Sequence, residues 1–333
     1  MTARVVLTTG IGSLPFVRLD EARKVISLFD IPFWPQLPKK TFLENMYLQY
    51  SDGLPFSKID YEKENIFFRL DEMDGKELET FYEHLLAEDL DYFAVKREKA
   101  AGLYSLLEDP LPSARIKGQM TGPVSFGLTV TDENKRAVFY HETFKEILVK
   151  GLTLKALWII RELKKKYKEV YFFLDEPYLS QIGSAFVNLD PEEIKGIYSE
   201  MLAVINREAI SGIHCCGNTD WNLILDLPFG IINFDAFNYS LLPFSAKLKK
   251  FLESGGKIAF GFVPAENSVR NLTEKELSAR TEEEFSRLDG AGISRALIKE
   301  NMLLSPSCGL ATLDPALVVK ELEMLQYLKR HFD

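Results

Sequence analysis

Short apolar runs alternate along the chain with longer segments whose apolar residues recur at helical spacing. The runs at 5–8, 116–120, 170–174, 212–216, 231–234, 258–263 and 302–304 read as strands, and most end in Gly, Pro or Asp. Asp190-Pro191-Glu192-Glu193 supplies a cap, a proline at the first helical position and a carboxylate three residues after the cap. Ile194, Ile197, Met201 and Val204 then mark one apolar helix face. Asp314-Pro315 opens the last helix in the same way, followed by Val318, Leu322 and Leu325. Strand alternating with helix implies a parallel sheet. Seven legible strands, with an eighth blurred between residues 30 and 100, predict a single α/β domain over residues 1–333. The expected fold is a (β/α)8 TIM barrel with an N-terminal elaboration between its first and third strands. The elaboration, over residues 30–110, holds Phe33-Trp34-Pro35-Gln36-Leu37-Pro38, a hairpin around Asp52-Gly53 and two helices. An open doubly wound sheet is the rival. Its nucleotide loop is missing, since Gly10-Ile11-Gly12-Ser13-Leu14-Pro15 lacks the third glycine and meets a proline where a helix should begin.

Composition narrows the partners. With 46% hydrophobic and 27% charged residues, the 333-residue chain has the make-up of a globular protein. A net charge of −9 and a pI near 5.2 leave no footprint for nucleic acid. The densest basic run, Lys164-Lys165-Lys166, falls at a helix end, where it complements the dipole. The apolar stretch before Gly10 is too short for a signal core or a membrane span, so a cytoplasmic location is expected. Three cysteines cannot build a disulfide framework in a chain of this length, which leaves them buried, catalytic or metal-bound.

Their positions carry the chemistry. In Ile213-His214-Cys215-Cys216-Gly217-Asn218 an apolar strand runs into a turn, and alternation puts His214 and Cys216 on one face with Cys215 on the other. Cys308 follows the last strand, so all three can meet at the C-terminal ends of the strands, where barrels of this kind place their sites. One imidazole and two thiolates suit zinc and leave a coordination position open. The His-x-Cys pair alone is packing more often than a ligand pair. Asp235, at the end of its strand, has two readings as a functional residue, a displaceable fourth ligand or a group that orients His214, beside a solvated strand-end acid. Asp175 and Glu176 arrive at a strand end, able to hold a substrate ammonium or to cap a helix. Ser13, with the amides of Ile11 and Gly12, forms either a carboxylate cradle or a plain turn.

Five segments resemble, in order, the C-terminal catalytic barrel of cobalamin-independent methionine synthase, in the superfamily shared with uroporphyrinogen decarboxylase. They are Thr8-Thr9-Gly10-Ile11-Gly12-Ser13-Leu14-Pro15, Met120-Thr121-Gly122-Pro123-Val124, Leu174-Asp175-Glu176-Pro177, His214-Cys215-Cys216 and Pro306-Ser307-Cys308-Gly309-Leu310. The resemblance implies Zn2+ on His214, Cys216 and Cys308, with Asp235 at the place of the family's ligating Glu. It also implies homocysteine contacts at Ile11, Gly12, Ser13 and Asp175, and methyl transfer to the homocysteine thiol to give methionine. The departures concern the donor. The family's folate-stacking Trp falls near Thr129, a Glu falls at Gln181, and the proton-transfer His falls at Glu266, which becomes the candidate catalytic group there with Asp235. The synthase's second barrel has no counterpart in this length. The expected donor is therefore methylcobalamin or a methyl-corrinoid on a partner protein, since the chain has no Asp-x-His-x-x-Gly corrinoid segment. Two alternatives stand beside this: a thiol methyltransferase acting on coenzyme M, and a non-catalytic zinc or corrinoid carrier. Trp34 is open between contacting the donor and packing.

Overall fold

The computed structural model describes residues 5–71, 73, 75–181 and 189–333. Its strands in chain order are β1 (Leu7–Thr8), β2 (Ser57–Asp60), β3 (Asn65–Phe68), β4 (Arg115–Thr121), β5 (Thr131–Asp132), β6 (Glu169–Asp175), β7 (Ile210–Cys215), β8 (Ile231–Phe234), β9 (Lys257–Val263) and β10 (Met302–Pro306). Seven of them form one parallel sheet in the order β1-β10-β9-β8-β7-β6-β4, and these are the seven strands read from the sequence.

The expected eight-stranded closure is replaced by something less regular. The edges β1 and β4 are joined through residues 31–36: Ile31 N donates to Thr8 O at 3.0 Å, Lys117 N to Pro32 O at 2.8 Å and Trp34 N to Lys117 O at 2.9 Å. These contacts are isolated parallel bridges and not a ladder. Pro32 and Pro35 explain why, because neither has an N–H to donate. The sheet therefore curls as seven strands with a bridged gap. The elaboration adds a small sheet in the order β2-β3-β5. Its hairpin spans β2 and β3, some residues beyond the predicted site at Asp52-Gly53, and turns through Glu64 at φ 51°.

Period-two alternation sorts the strand residues into two cores. Outward residues such as Phe172, Leu174, Ile213, Cys215, Ile232 and Phe234 join the large core beneath the helices. Inward residues Ile31, Tyr171, Phe173, Ile231, Ala259 and Leu303 make a separate apolar floor inside the curl. Each fully buried large apolar side chain contributes on the order of 1.5–3 kcal/mol. Helix Pro191–Glu208 is capped as predicted, with the Asp190 side chain accepting from Glu192 N. Among the described residues no helix is long and apolar enough to cross a membrane.

The same alternation separates the two adjacent carboxylates. Glu176 points outward and caps helix Pro123–Thr129, accepting from Val124 N at 3.2 Å, Ser125 N at 2.7 Å and the Tyr198 hydroxyl at 2.6 Å. Burial raises its pKa from 4.5 to about 7 against the pull of these donors. Because the folded value lies above the unfolded one, this group's contribution is present at low pH and is lost as pH rises through about 7. Glu176→Ala leaves three donors unpaired and is expected to cost about 3 kcal/mol. The check is a lower denaturant midpoint with metal binding retained. The pH slope between about 4.5 and 7 should flatten in Glu176→Gln relative to the parent.

Candidate metal centre

Parallel register places the site. Thr121 pairs with Asp175, Asp175 with His214 and His214 with Asn233, so this row of side chains faces the interior at the C-terminal ends of β4, β6, β7 and β8. Cys216 lies one residue beyond β7 on the same face as His214, and Cys308 lies two residues beyond β10. The donor atoms of His214, Cys216 and Cys308 all lie within 4.8 Å of one another. The one metal-competent group of His, Cys, Asp or Glu among the described residues is this one.

Its chemistry fits a soft divalent cation. His214 Nδ1 lies 2.6 Å from Asn233 Oδ1, while its Nε2 is buried with no hydrogen-bond partner. A buried unpartnered nitrogen is costly unless something else takes its lone pair. The Cys308 thiol donates toward Cys216, which together with His214 draws the Cys216 pKa down to about 4 and pushes that of Cys308 up. Burial opposes a charged His214, and the Cys216 sulfur outweighs it, raising the imidazole. Cys215 turns away, is fully buried, and has its thiol pushed up to about 12 by that burial. It is a core residue.

Beside the donor group sits an unpaired acid. Asp175 is 8% exposed, and its Oδ1 has no hydrogen-bond partner. Burial raises its pKa to about 6, opposed by Lys117 and His214. Lys117 is itself buried in the interior, donating to Ile11 O and to Gln119 Oε1 at 3.2 Å, with its ammonium 4.8 Å from the Phe173 ring centre. Burial draws its pKa down to about 8. Lys117 thus fixes the loop that carries Ile11, Gly12 and Ser13, and Ile11 contributes a carbonyl to that tie. Ser13 approaches the metal-competent group from β1: its carbonyl accepts from Leu310 N at 2.9 Å, and a Cβ on Gly309 would stand 2.2 Å from its hydroxyl oxygen. Only glycine permits that approach next to Cys308.

The remaining expectations fall elsewhere. Asp235 is outside the donor group, and its carboxylate is occupied by Phe237 N and Asn238 N, both at 3.0 Å, and by Asn238 Nδ2 at 2.7 Å. It forms a turn, and the orientation of His214 belongs to Asn233. Glu266 is exposed and accepts from the Ser268 hydroxyl at 2.9 Å, with no contact to the donor group. Trp34 is fully buried with its ring edge-on to Tyr50, so packing is its role. Thr129 donates to the Tyr47 hydroxyl at 3.1 Å, and Cys216 lies close enough to Tyr47 to help burial raise its pKa. Asn233 and Lys117 are not among the residues expected from the sequence, although a polar residue at an inward position of a buried strand marks each of them. Tyr47 carries no such mark.

No family model matches the chain, and no curated protein does. Solved structures do. A methyltransferase from Methanosarcina mazei superposes with a TM-score of 0.60 at 12% identity, covering 98% of this chain and 94% of its own. A protein from Listeria monocytogenes assigned as a vitamin-B12-independent methionine synthase gives 0.54 at 14% identity, covering 94% and 83%. At such identity the likeness is one of fold.

Proposed function

We propose that this chain is a zinc-dependent thiol methyltransferase built on a (β/α)8 barrel, with residues 31–36 standing in for the eighth strand. Within that class, we read it as methylating the thiol of homocysteine to form methionine, from methylcobalamin or a protein-bound methyl-corrinoid. One observation carries the reading: three soft donors with a bare imidazole nitrogen adjoin a buried, unpaired carboxylate. Both structural neighbours, described as a methyltransferase and a methionine synthase, support the same class.

His214, Cys216 and Cys308 would hold the ion, which supplies Lewis acidity that keeps a thiol ionised at neutral pH. Asp175 pairs with the substrate ammonium, and the loop of Ile11, Gly12 and Ser13 takes its carboxylate end. Holding both ends of the amino acid fixes its sulfur for in-line attack, and such positioning supplies much of a rate enhancement of this kind. A methyl-corrinoid would supply the methyl group to that sulfur and would keep the electron pair of its cobalt–carbon bond. The thiol proton goes to solvent. The apolar floor of Phe173, Ile231 and Leu303 keeps water from beneath the reacting sulfur.

Coenzyme M fits less well, because its sulfonate would face the Asp175 carboxylate. Purified zinc-loaded protein mixed with methylcobalamin and either thiol decides the matter. Corrinoid absorbance should report faster demethylation with homocysteine. Faster reaction with coenzyme M, or none with either thiol, would overturn the reading.

A further inference from the structure

Beyond the ligands themselves, the structure links their strands through one side chain. Asn233 Nδ2 donates to Ala259 O at 2.8 Å and to Ser305 Oγ at 2.8 Å, and Ser305 Oγ in turn donates to Pro306 O at 2.9 Å. Both amide hydrogens are thereby assigned, so Oδ1 must be the atom that faces His214 Nδ1 at 2.6 Å. An amide oxygen only accepts, so the proton must sit on Nδ1 and the lone pair on Nε2, the atom left without a partner. The chain of bonds crosses β7, β8, β9 and β10 and ends at Pro306, two residues before Cys308. Its last link falls where the β9–β10 register shifts between Ser305 and Pro306.

We infer that Asn233, held by Ser305, is the positioning residue of the metal centre: it selects the imidazole tautomer that presents Nε2 to the cation and ties the His214 strand to the strand that delivers Cys308. The choice of group has a chemical consequence. A carboxylate in this place would raise the basicity of the imidazole and add negative charge to a centre that already has two thiolates. A neutral amide orients the ring and leaves the net charge unchanged. Ser305 is required because without it one amide hydrogen is unpaired, and the orientation of Asn233 is held by Ala259 O alone.

The inference rests on the proposed metal site, and the test separates the two. Histidine-selective 15N labelling of the cadmium-113-loaded protein gives a readable spectrum, since the chain has only four histidines. For His214, cadmium coupling is expected on Nε2, with a slowly exchanging proton on Nδ1. Coupling on Nδ1 would overturn the inference while leaving the metal site in place. Failure to take up cadmium at all would overturn the site and the inference with it. In Asn233→Ala the Nδ1 proton should exchange rapidly, and zinc affinity in a chelator competition should fall about 10- to 100-fold. Ser305→Ala, a milder change, should move both readouts in the same direction by less. Unchanged affinity together with an unchanged Nδ1 proton in Asn233→Ala would also refute it.

Discussion

Replacing Cys308 with serine is expected to empty the metal centre. The donor atoms of His214, Cys216 and Cys308 lie within 4.8 Å of one another, and no further His, Cys, Asp or Glu among the described residues joins them. The serine hydroxyl is a hard and weakly acidic donor, so two soft ligands would remain where zinc needs at least three. Removing a partner that only orients a ligand costs about 10- to 100-fold in affinity, and losing a ligand should exceed the upper end of that range. Zinc measured by atomic absorption after dialysis should drop from one per chain to a small fraction, with methyl transfer falling to background. Cys308 is only partly buried and serine is close to it in volume, so the circular dichroism spectrum should not change. Cys215→Ala provides the contrast. Its sulfur points into the outer core, so that variant loses some stability and keeps its zinc. A Cys308→Ser protein with full zinc and full activity would contradict the ligand set.

The second large effect is expected at Asp175. A buried carboxylate without a partner is costly to maintain, and here the cost is recovered when a cationic group arrives. Truncating one member of a buried charge pair costs about 2–5 kcal/mol, or roughly 30-fold to several thousand-fold in affinity. Asp175→Asn should therefore lower kcat/KM for homocysteine by on the order of 100-fold or more, chiefly through KM, since the charge is met equally in the ground and transition states. An alkylthiol without an amino group should react at the same rate in parent and variant. Steady-state kinetics with the two acceptors tests this, and equal losses for both would show that Asp175 acts on the metal centre and not on the ammonium.

Much of this was legible in the residues and some was not, for identifiable reasons. All seven strands of the main sheet could be read, because buried parallel strands are short, largely apolar runs and most of these are closed by Gly, Pro or Asp, although β4 carries Lys117 and Gln119 and β8 carries Asn233. The bridging segment could not, because Pro32 and Pro35 remove the donors that would make it a regular strand. The small hairpin was misplaced because its turn uses Glu64 in a left-handed conformation, where the sequence signal would be glycine. Alternation placed His214 and Cys216 together and turned Cys215 away, and it also separates Asp175 from Glu176. Cys308 was legible as the third donor because it follows the last strand at the same C-terminal ends, and the structure brings its sulfur within 4.8 Å of the other two donor atoms. The functional weight given to Asp235 came from its place at a strand end and then from resemblance, and the local turn through Phe237 and Asn238 claims that carboxylate. What alignment with a family cannot supply is Asn233, whose meaning lies in hydrogen bonds to three other strands.

The central claim is that these three residues form an open metal centre that takes up the acceptor's sulfur. X-ray absorption at the zinc edge tests it most directly, because sulfur and nitrogen neighbours differ in distance by about 0.2–0.3 Å. The loaded protein should show one nitrogen and two sulfur ligands, and homocysteine should raise the sulfur count by one. A sulfur count that does not change when homocysteine is added would contradict the account.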